Sequence, residues 1–249
     1  MAERLFRVWR GDKNGGNLVE YKVNVEKGMV VLDVIHRIQA TQASDLSCRW
    51  NCKLGKCGSC SMEINGKPKL GCMTRMNTFK EDEIITIKPL KTFPILKDLV
   101  TDVSWNYVQN QRIAPFKPRA RDKDGNHRMF QRDIERVQEF RKCIECYLCQ
   151  NVCHVLRDQG KKDKFVGPRF MIRLASLEMH PLDTGDRIEE IRKDYGSGYC
   201  NITKCCTDVC PEHIHITDNG IIPLKERVVD RCFDPVTIML DKVFGPKTS

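Results

Sequence analysis

The sequence is poor in aromatic residues, 7% of 249, and it has no low-complexity tract and no fixed-period repeat. Its longest apolar stretches, such as Met29 to Ile35, fall short of the roughly 20 residues that a membrane-spanning helix needs. If the protein works at a membrane, something else anchors it. The opening Met-Ala-Glu-Arg-Leu-Phe-Arg has no apolar core of signal-peptide length, so an oxidised, exported protein is not expected. The formal net charge of +9 would suit anionic lipid, nucleic acid or an acidic partner, and alone it selects none of them. Nucleic acid is disfavoured on other grounds: the basic residues are spread along the chain, without the interleaved aromatics on which bases stack.

What the chain does have is cysteine, 14 in all. In a reducing compartment such thiols are spent largely on metal. Cys143, Cys146, Cys149 and Cys153 stand at spacings x2, x2 and x3. This is the ligand run of a bacterial-type iron–sulfur site, whose first three cysteines hold one cluster while the fourth reaches to another. A second run must therefore exist. It is found at Cys200-x5-Cys206-x3-Cys210-Pro211.

Superposing Cys200 on Cys143, Cys206 on Cys149 and Cys210 on Cys153 puts Thr203 where Cys146 stands. By the crossover rule Cys143, Cys146, Cys149 and Cys210 would hold a [4Fe–4S] cluster. Cys153, Cys200 and Cys206 would hold a centre short of one ligand, most simply [3Fe–4S]. Cys205 could in principle bind a fourth iron, but neighbours in a helical turn point in different directions, and the expectation is a spare thiol. Iron analysis separates the two: nine irons per chain if Cys205 is idle, ten if it ligates. Structural zinc also uses paired cysteines, yet it does not need this interleaved pattern twice.

A third set lies upstream. Cys52-x4-Cys57-x2-Cys60 followed by the distant Cys72 is the plant-type [2Fe–2S] spacing. Gly55 and Gly58 permit the left-handed backbone that turns N–H groups toward sulfur, and Lys53 and Lys56 should favour the reduced, more negative cluster. Cys48 does not fit the spacing and reads as an unligated, partly buried thiol.

Around these sets the first hundred residues read as β-rich. Leu5 to Arg10 and Leu18 to Val25 alternate as a hairpin about Gly11 to Gly16; Val30 to Gln39 has helical spacing; Ser61 to Ile64 and Ile84 to Ile87 read as strands; and Phe93 to Val103 reads as a short helix. Asn106 to about Gln131 is polar and basic, a surface connection. Beyond it come helix and loop, with helical stretches at Asp133 to Phe140 and Pro168 to Met179. The expected domains are 1–105, carrying [2Fe–2S]; 106–131, a basic connecting segment; and 132–249, helical, carrying [4Fe–4S] and [3Fe–4S].

Taken together, Cys52 to Cys72, Cys143 to Cys153, Cys200 to Pro211 and the local words Cys57-Gly58-Ser59-Cys60 and Val209-Cys210-Pro211 resemble the iron–sulfur subunit of succinate dehydrogenase and fumarate reductase. The resemblance spans nearly the whole chain. It implies an α+β fold, a β-grasp plant-type ferredoxin domain followed by an all-α bacterial-type ferredoxin domain. It further implies an electron relay between the FAD of a flavoprotein subunit and quinone beside one or two membrane-anchor subunits, some of which carry haem. The site would be at the cytoplasmic face of a bacterial membrane, and no residue of this chain would act catalytically on the dicarboxylate.

One departure concerns quinone. Many ubiquinone-reducing members follow the fourth cysteine with Pro-Ser and a nearby Trp, whereas Cys153 is followed by His154-Val155-Leu156-Arg157. The pattern looks closer to members working with menaquinone, and His154 is a candidate quinone donor. His213 and His215 read as ordinary helix-start or interface residues. An iron–sulfur subunit of a glycolate- or glycerol-phosphate-type dehydrogenase is the alternative, against which the Cys52 to Cys72 set argues.

Overall fold

The computed structural model describes residues 2–244 and divides into two compact units. The first contains the chain up to Trp105 together with Ile144–Val152 and Val209–Pro211; the second contains Asn106–Cys143, Cys153–Asp208 and the chain from Glu212 on.

The first unit is built on a mixed sheet. Strands β1 (Ala2–Asp12) and β2 (Gly15–Val25) form the expected hairpin, closed by Lys13-Asn14, with the Asp12 carboxylate accepting the Asn14 N–H at 2.7 Å. Alternation puts Phe6 and Val8 in the core and Leu5 and Arg7 on the other face. Helix α1 (Val31–Thr41) follows. Its Val31, Val34, Ile35 and Ile38 are wholly buried against the sheet, each contributing roughly 1.5–3 kcal/mol by leaving water. Asp33 starts the helix by accepting the Val30 N–H at 3.0 Å.

Strands β3 (Ser61–Ile64) and β4 (Lys67–Leu70) pair about Asn65 and Gly66, both left-handed, at φ +48° and +75°. Strand β5 (Ile85–Lys88) lies between β3 and β1, parallel to β1 with Phe6 opposite Ile85. A first and a late strand paired in parallel, with a helix across one face, is the β-grasp arrangement expected.

The helix expected from Phe93 to Val103 is absent. In its place β6 (Ile95–Lys97) and β7 (Val100–Thr101) run antiparallel, and Asp98 between them is left-handed at φ +49°. The reason is tertiary. Asp98 is 2% exposed, and its carboxylate accepts the Gly11 N–H at 3.0 Å, the Ser47 N–H at 2.9 Å and Arg10 Nε–H at 3.0 Å. Those bonds hold the chain at the end of β1 and override the helical spacing. Helix α2 (Ser104–Arg112) begins only afterwards.

A second core cluster in this unit joins Leu32, Leu70, Leu90 and Phe93 to Tyr147 and Leu148. Helix α4's place here is fixed by polar bonds too: α3 (Gln131–Gln138) belongs to the other unit, but α4 (Leu148–Val152) packs on β4, and its buried Asn151 donates to Glu63 Oε1 at 2.8 Å while accepting the Thr92 N–H at 3.0 Å.

The second unit is helical. Its elements are α3, α5 (His154–Arg157), α6 (Pro168–Glu178), α7 (Ile188–Lys193), α8 (Cys205–Asp208), α9 (Ile222–Phe233) and α10 (Pro235–Phe244). Gly167 at φ +86° and Pro168 at the first position start α6. With Phe170, Met171, Ile172, Leu174 and Ala175 all buried, α6 is covered on most sides, and Arg173 marks its exposed face. A wide π-type turn, Ile216–Ile221, packs on α6 and leads into α9.

The basic segment after Asn106 is tied to this unit. Arg119 N–H donates to Leu182 O at 2.9 Å, Thr184 N–H to Lys117 O at 2.8 Å, and the buried Arg187 reaches Pro115 O at 2.8 Å. Among the described residues no helix is long and apolar enough to cross a membrane.

Candidate iron–sulfur centres

The Cys52 to Cys72 set lies entirely in the first unit. Between α1 and β3 the chain wraps as an irregular loop with Lys53, Gly55 and Gly58 left-handed, at φ +57°, +73° and +68°. That winding turns backbone donors inward: Leu54 and Lys56 N–H groups point at Cys52 Sγ, at 3.4 and 3.3 Å. Across the β3–β4 hairpin Cys72 N–H donates to Cys60 Sγ at 3.4 Å. Burial would raise the Cys57 thiol, but hydrogen bonds from Ser59 and Cys52 hold it down to about 6. Cys60 is pushed up to about 12 by burial, with the adjacent Cys72 and Cys57 adding repulsion. Cys57 interacts with Cys52, and Cys60 with Cys57 and Cys72, and N–H groups are already aimed at two of the four sulfurs. This donor set fits a plant-type cluster, whose potential is tuned by such bonds.

Gly55 cannot be anything larger without moving Met73, whose Cγ and Sδ lie 2.9 Å from where a Cβ would stand. Cys48 packs against both core clusters of the unit, and burial pushes its thiol up to about 12. That is the chemistry of an inert structural thiol.

Of the proposed [4Fe–4S] ligands, Cys146, Cys149 and Cys210 belong to the first unit, and Cys143 is the last residue of the segment Asn106–Cys143 in the second. Cys146 joins the core cluster that contains Cys60 and Cys72. Cys149 sits on the first turn of α4.

The third set lies wholly in the second unit. Cys153, Cys200 and Cys206 line one cavity, together with Thr203, Cys205 and Thr217. Burial pushes the Cys153 thiol up to about 11, with Cys205 and Cys200 adding repulsion; Cys206 is pushed up to about 12 by burial, with Cys205, Cys200 and Cys153 adding. The wall beyond the sulfurs includes the apolar Val155, Phe165 and Ile221, so the site is thiol-rich with an apolar side, an environment suited to a cluster.

The superposition made from spacing alone has a counterpart in the backbone. Glu145 and Tyr147, flanking Cys146, are left-handed at φ +55° and +60°; Ile202 and Lys204, flanking Thr203, are left-handed at φ +60° and +62°. Left-handed conformations are costly for residues other than glycine, most of all for a β-branched one such as Ile202. Their occurrence at the same two positions of both runs marks one cluster-binding loop used twice. Each loop ends in a short helix, α4 carrying Cys149 and α8 carrying Cys206.

Apart from His154, the neighbours of the third set carry little signal in the sequence. Lys225, on α9, donates from Nζ to Cys200 O at 2.7 Å. Thr217 Oγ1 lies 3.4 Å from Cys206 Sγ. His154 opens α5 and its Nε2 meets the Asn201 side chain, 2.9 Å from Oδ1, at the edge of the same cavity. Asn201 directly follows Cys200, and that adjacency was the one available pointer. His215 pairs with Glu139, Nδ1 to Oε1 at 2.7 Å.

Comparison with known proteins agrees with this layout. Residues 5–107 match the 2Fe-2S iron-sulfur cluster binding domain and residues 139–214 the 4Fe-4S dicluster domain. Curated relatives are named as iron–sulfur subunits of fumarate reductase or of succinate dehydrogenase. The fumarate reductase iron–sulfur subunit of Wolinella succinogenes is 32% identical over 217 residues, 84% of this chain and 89% of that protein. An uncharacterized iron–sulfur protein of Methanococcus maripaludis is 31% identical over 226 residues, 86% of this chain, which spans only 42% of that longer protein. Among solved structures, a chain of the Mycobacterium smegmatis Sdh1 complex in the apo form superposes with a TM-score of 0.91 at 62% identity, covering 94% of this chain and 99% of the other. The chain belongs to the family of iron–sulfur subunits of succinate dehydrogenase and fumarate reductase.

Proposed function

We propose that this chain relays electrons through three centres between the FAD of a flavoprotein subunit and membrane quinone, menaquinone by the pattern after Cys153. Cys52, Cys57, Cys60 and Cys72 would hold [2Fe–2S]; Cys143, Cys146, Cys149 and Cys210 would hold [4Fe–4S]; Cys153, Cys200 and Cys206 would hold [3Fe–4S]. Bound there, the clusters supply one-electron chemistry, and the chain's residues position and tune them. The observation that carries the reading is the twice-used loop with Thr203 in the place of Cys146, which supports a terminal centre one ligand short.

The loop around Cys52 exposes Trp50, Leu54 and Met73, with Lys53 Nζ over the Trp50 ring at 4.8 Å. An apolar patch beside a cluster suits docking of the flavoprotein. His154 and Asn201, at the edge of the third cavity, are the candidates to meet quinone. One or two anchor subunits would hold the assembly on the cytoplasmic face of the membrane.

The test is EPR of the intact complex during stepwise reduction. Three distinct centres are expected, one of them visible when oxidised; fewer would break the assignment. Substituting His154 should impair quinone reduction and spare electron transfer from succinate to a dye. Unchanged quinone reduction ends that role.

A further inference from the structure

The cavity of the third centre holds one cysteine more than that centre needs. Cys205 lines it beside Cys153, Cys200 and Cys206. Its sulfur lies 3.4 Å from Thr203 Oγ1, and Thr203 is the residue that the repeated left-handed flanks identify as the counterpart of ligand Cys146. The thiol therefore sits next to the corner at which a fourth ligand would stand. Sequence spacing argues that adjacent residues of a helical turn diverge. Cys205 and Cys206 open α8 directly after left-handed Lys204, and although their side chains differ by one helical step, both line this cavity.

We infer that Cys205 is a reserve ligand: it lets the three-cysteine centre accept one ferrous ion from solution and become a four-iron centre. The inference rests on the assignment of Cys153, Cys200 and Cys206 to a three-iron cluster. In the step, Cys205 gives up its thiol proton to solvent and forms one iron–sulfur bond to the incoming Fe²⁺. The reduced, uncharged three-iron core plus Fe²⁺ makes a four-iron core of charge +2, so no electron is gained or lost. An oxidised core must first take up one electron, which dithionite supplies in the test and the complex's own electron donor supplies in the cell. No existing bond to Cys153, Cys200 or Cys206 has to break. Because cluster type sets potential, Cys205 would couple the last step of the relay to the supply of ferrous iron.

The test uses the intact complex, prepared without oxygen, as wild type, Cys205→Ser, and Thr203→Cys in the Cys205→Ser background. Each is reduced with dithionite, incubated with isotopically labelled ferrous iron, desalted and reoxidised. Bound label is counted by mass spectrometry and the three-iron centre by its oxidised-state EPR signal, with the [2Fe–2S] signal as the check on folding. Wild type is expected to take up one further iron per chain and lose the three-iron signal, while Cys205→Ser takes up none and keeps it. If wild type behaves like Cys205→Ser and only the Thr203→Cys variant gains iron, the inference is overturned and the three-iron reading stands. If no preparation shows a three-iron signal and the Thr203→Cys variant also takes up nothing, that reading falls and the inference with it.

Discussion

Gly58 and Cys146 touch backbone to backbone: a Cβ added to Gly58 would stand 2.7 Å from Cys146 Cα and 2.9 Å from its Cβ. The loop of one proposed cluster is thus in direct contact with a proposed ligand of the next. Ser61 bridges them, its Oγ lying 2.8 Å from both Gly58 O and Cys146 O; a single hydroxyl proton serves the two carbonyls. Backbone and one short contact thus join the loop of the first proposed centre to a proposed ligand of the second.

Gly58→Ala should accordingly cost more than an ordinary loop substitution. The left-handed φ of +68° alone penalises alanine by roughly 1–2 kcal/mol, and the contact adds to that. We expect a loss of about 2–4 kcal/mol in denaturant unfolding, with slower reduction of the second centre in rapid-freeze EPR. Ser61→Ala should cost only about 1 kcal/mol. A Gly58→Ala chain as stable as the wild type would mean that the two backbones are not in contact.

Lys225 places a cation 2.7 Å from the carbonyl oxygen of Cys200. A reduced centre carries one more negative charge than an oxidised one, so the ammonium favours reduction. Lys225→Gln should move the terminal centre's midpoint to a more negative value, and Lys225→Arg should leave it near its original value. Potentiometric EPR titration reads both, and an unmoved midpoint in the Gln variant removes Lys225 from the tuning set.

Glu139 gives the second unit an acid-sensitive bond. Burial would raise its carboxyl, but the His215 N–H at 2.6 Å, Asn219 Nδ2 at 2.6 Å and the His215 ring at 2.7 Å hold it below the ordinary carboxyl range. A carboxyl depressed on folding adds stability that is complete above its unfolded pKa and is lost as pH falls through the lower folded value. Wild type should therefore lose this contribution below about pH 4.5, while Glu139→Gln lacks it throughout and shows a flatter acid limb. Unfolding midpoints between pH 3 and 7 measure the difference; parallel limbs would show that the bond contributes nothing.

Arg187 and Asp183 form an ion pair that is 2% and 0% exposed at the side chains, 3.1 Å apart. Arg187→Ala leaves a carboxylate buried without its cation, which costs about 3–5 kcal/mol. It also frees Pro115 O and Ala114 O, where the guanidinium holds the basic segment. Limited proteolysis should then cut between residues 113 and 131 faster than in the wild type. Removing both partners together should cost less than the sum of the two single changes.

Cysteine spacing made the layout of the centres readable, because a ligand must recur at fixed separations whatever surrounds it. Alternation and helical period likewise marked β1, β2, α1 and α6, whose cores are built from one face. Phe93 to Val103 misled for the opposite reason: Asp98 is held by Gly11 and Ser47, far away in the chain, and no local pattern encodes that. The left-handed pairs at Glu145/Tyr147 and Ile202/Lys204 were invisible as well, since none of the four is the glycine or asparagine that normally signals such a conformation. Lys225 could not have been linked to Cys200 by any spacing rule, since α9 brings it to Cys200 O from 25 residues away.

The compact unit that opens the chain is finished by Ile144–Val152 and Val209–Pro211. During synthesis its sheet leaves the ribosome first, yet its last pieces arrive more than a hundred residues later. At about 5–20 residues per second that is a wait of roughly 5–20 s. For about the first 40 residues of that interval, roughly 2–8 s, the apolar surface that Tyr147 and Leu148 will cover, around Leu70, Leu90 and Phe93, stands open with Cys60 and Cys72 beside it. The nascent protein is in that window most exposed to oxidation and aggregation, and cluster delivery or a protective partner would have to act there.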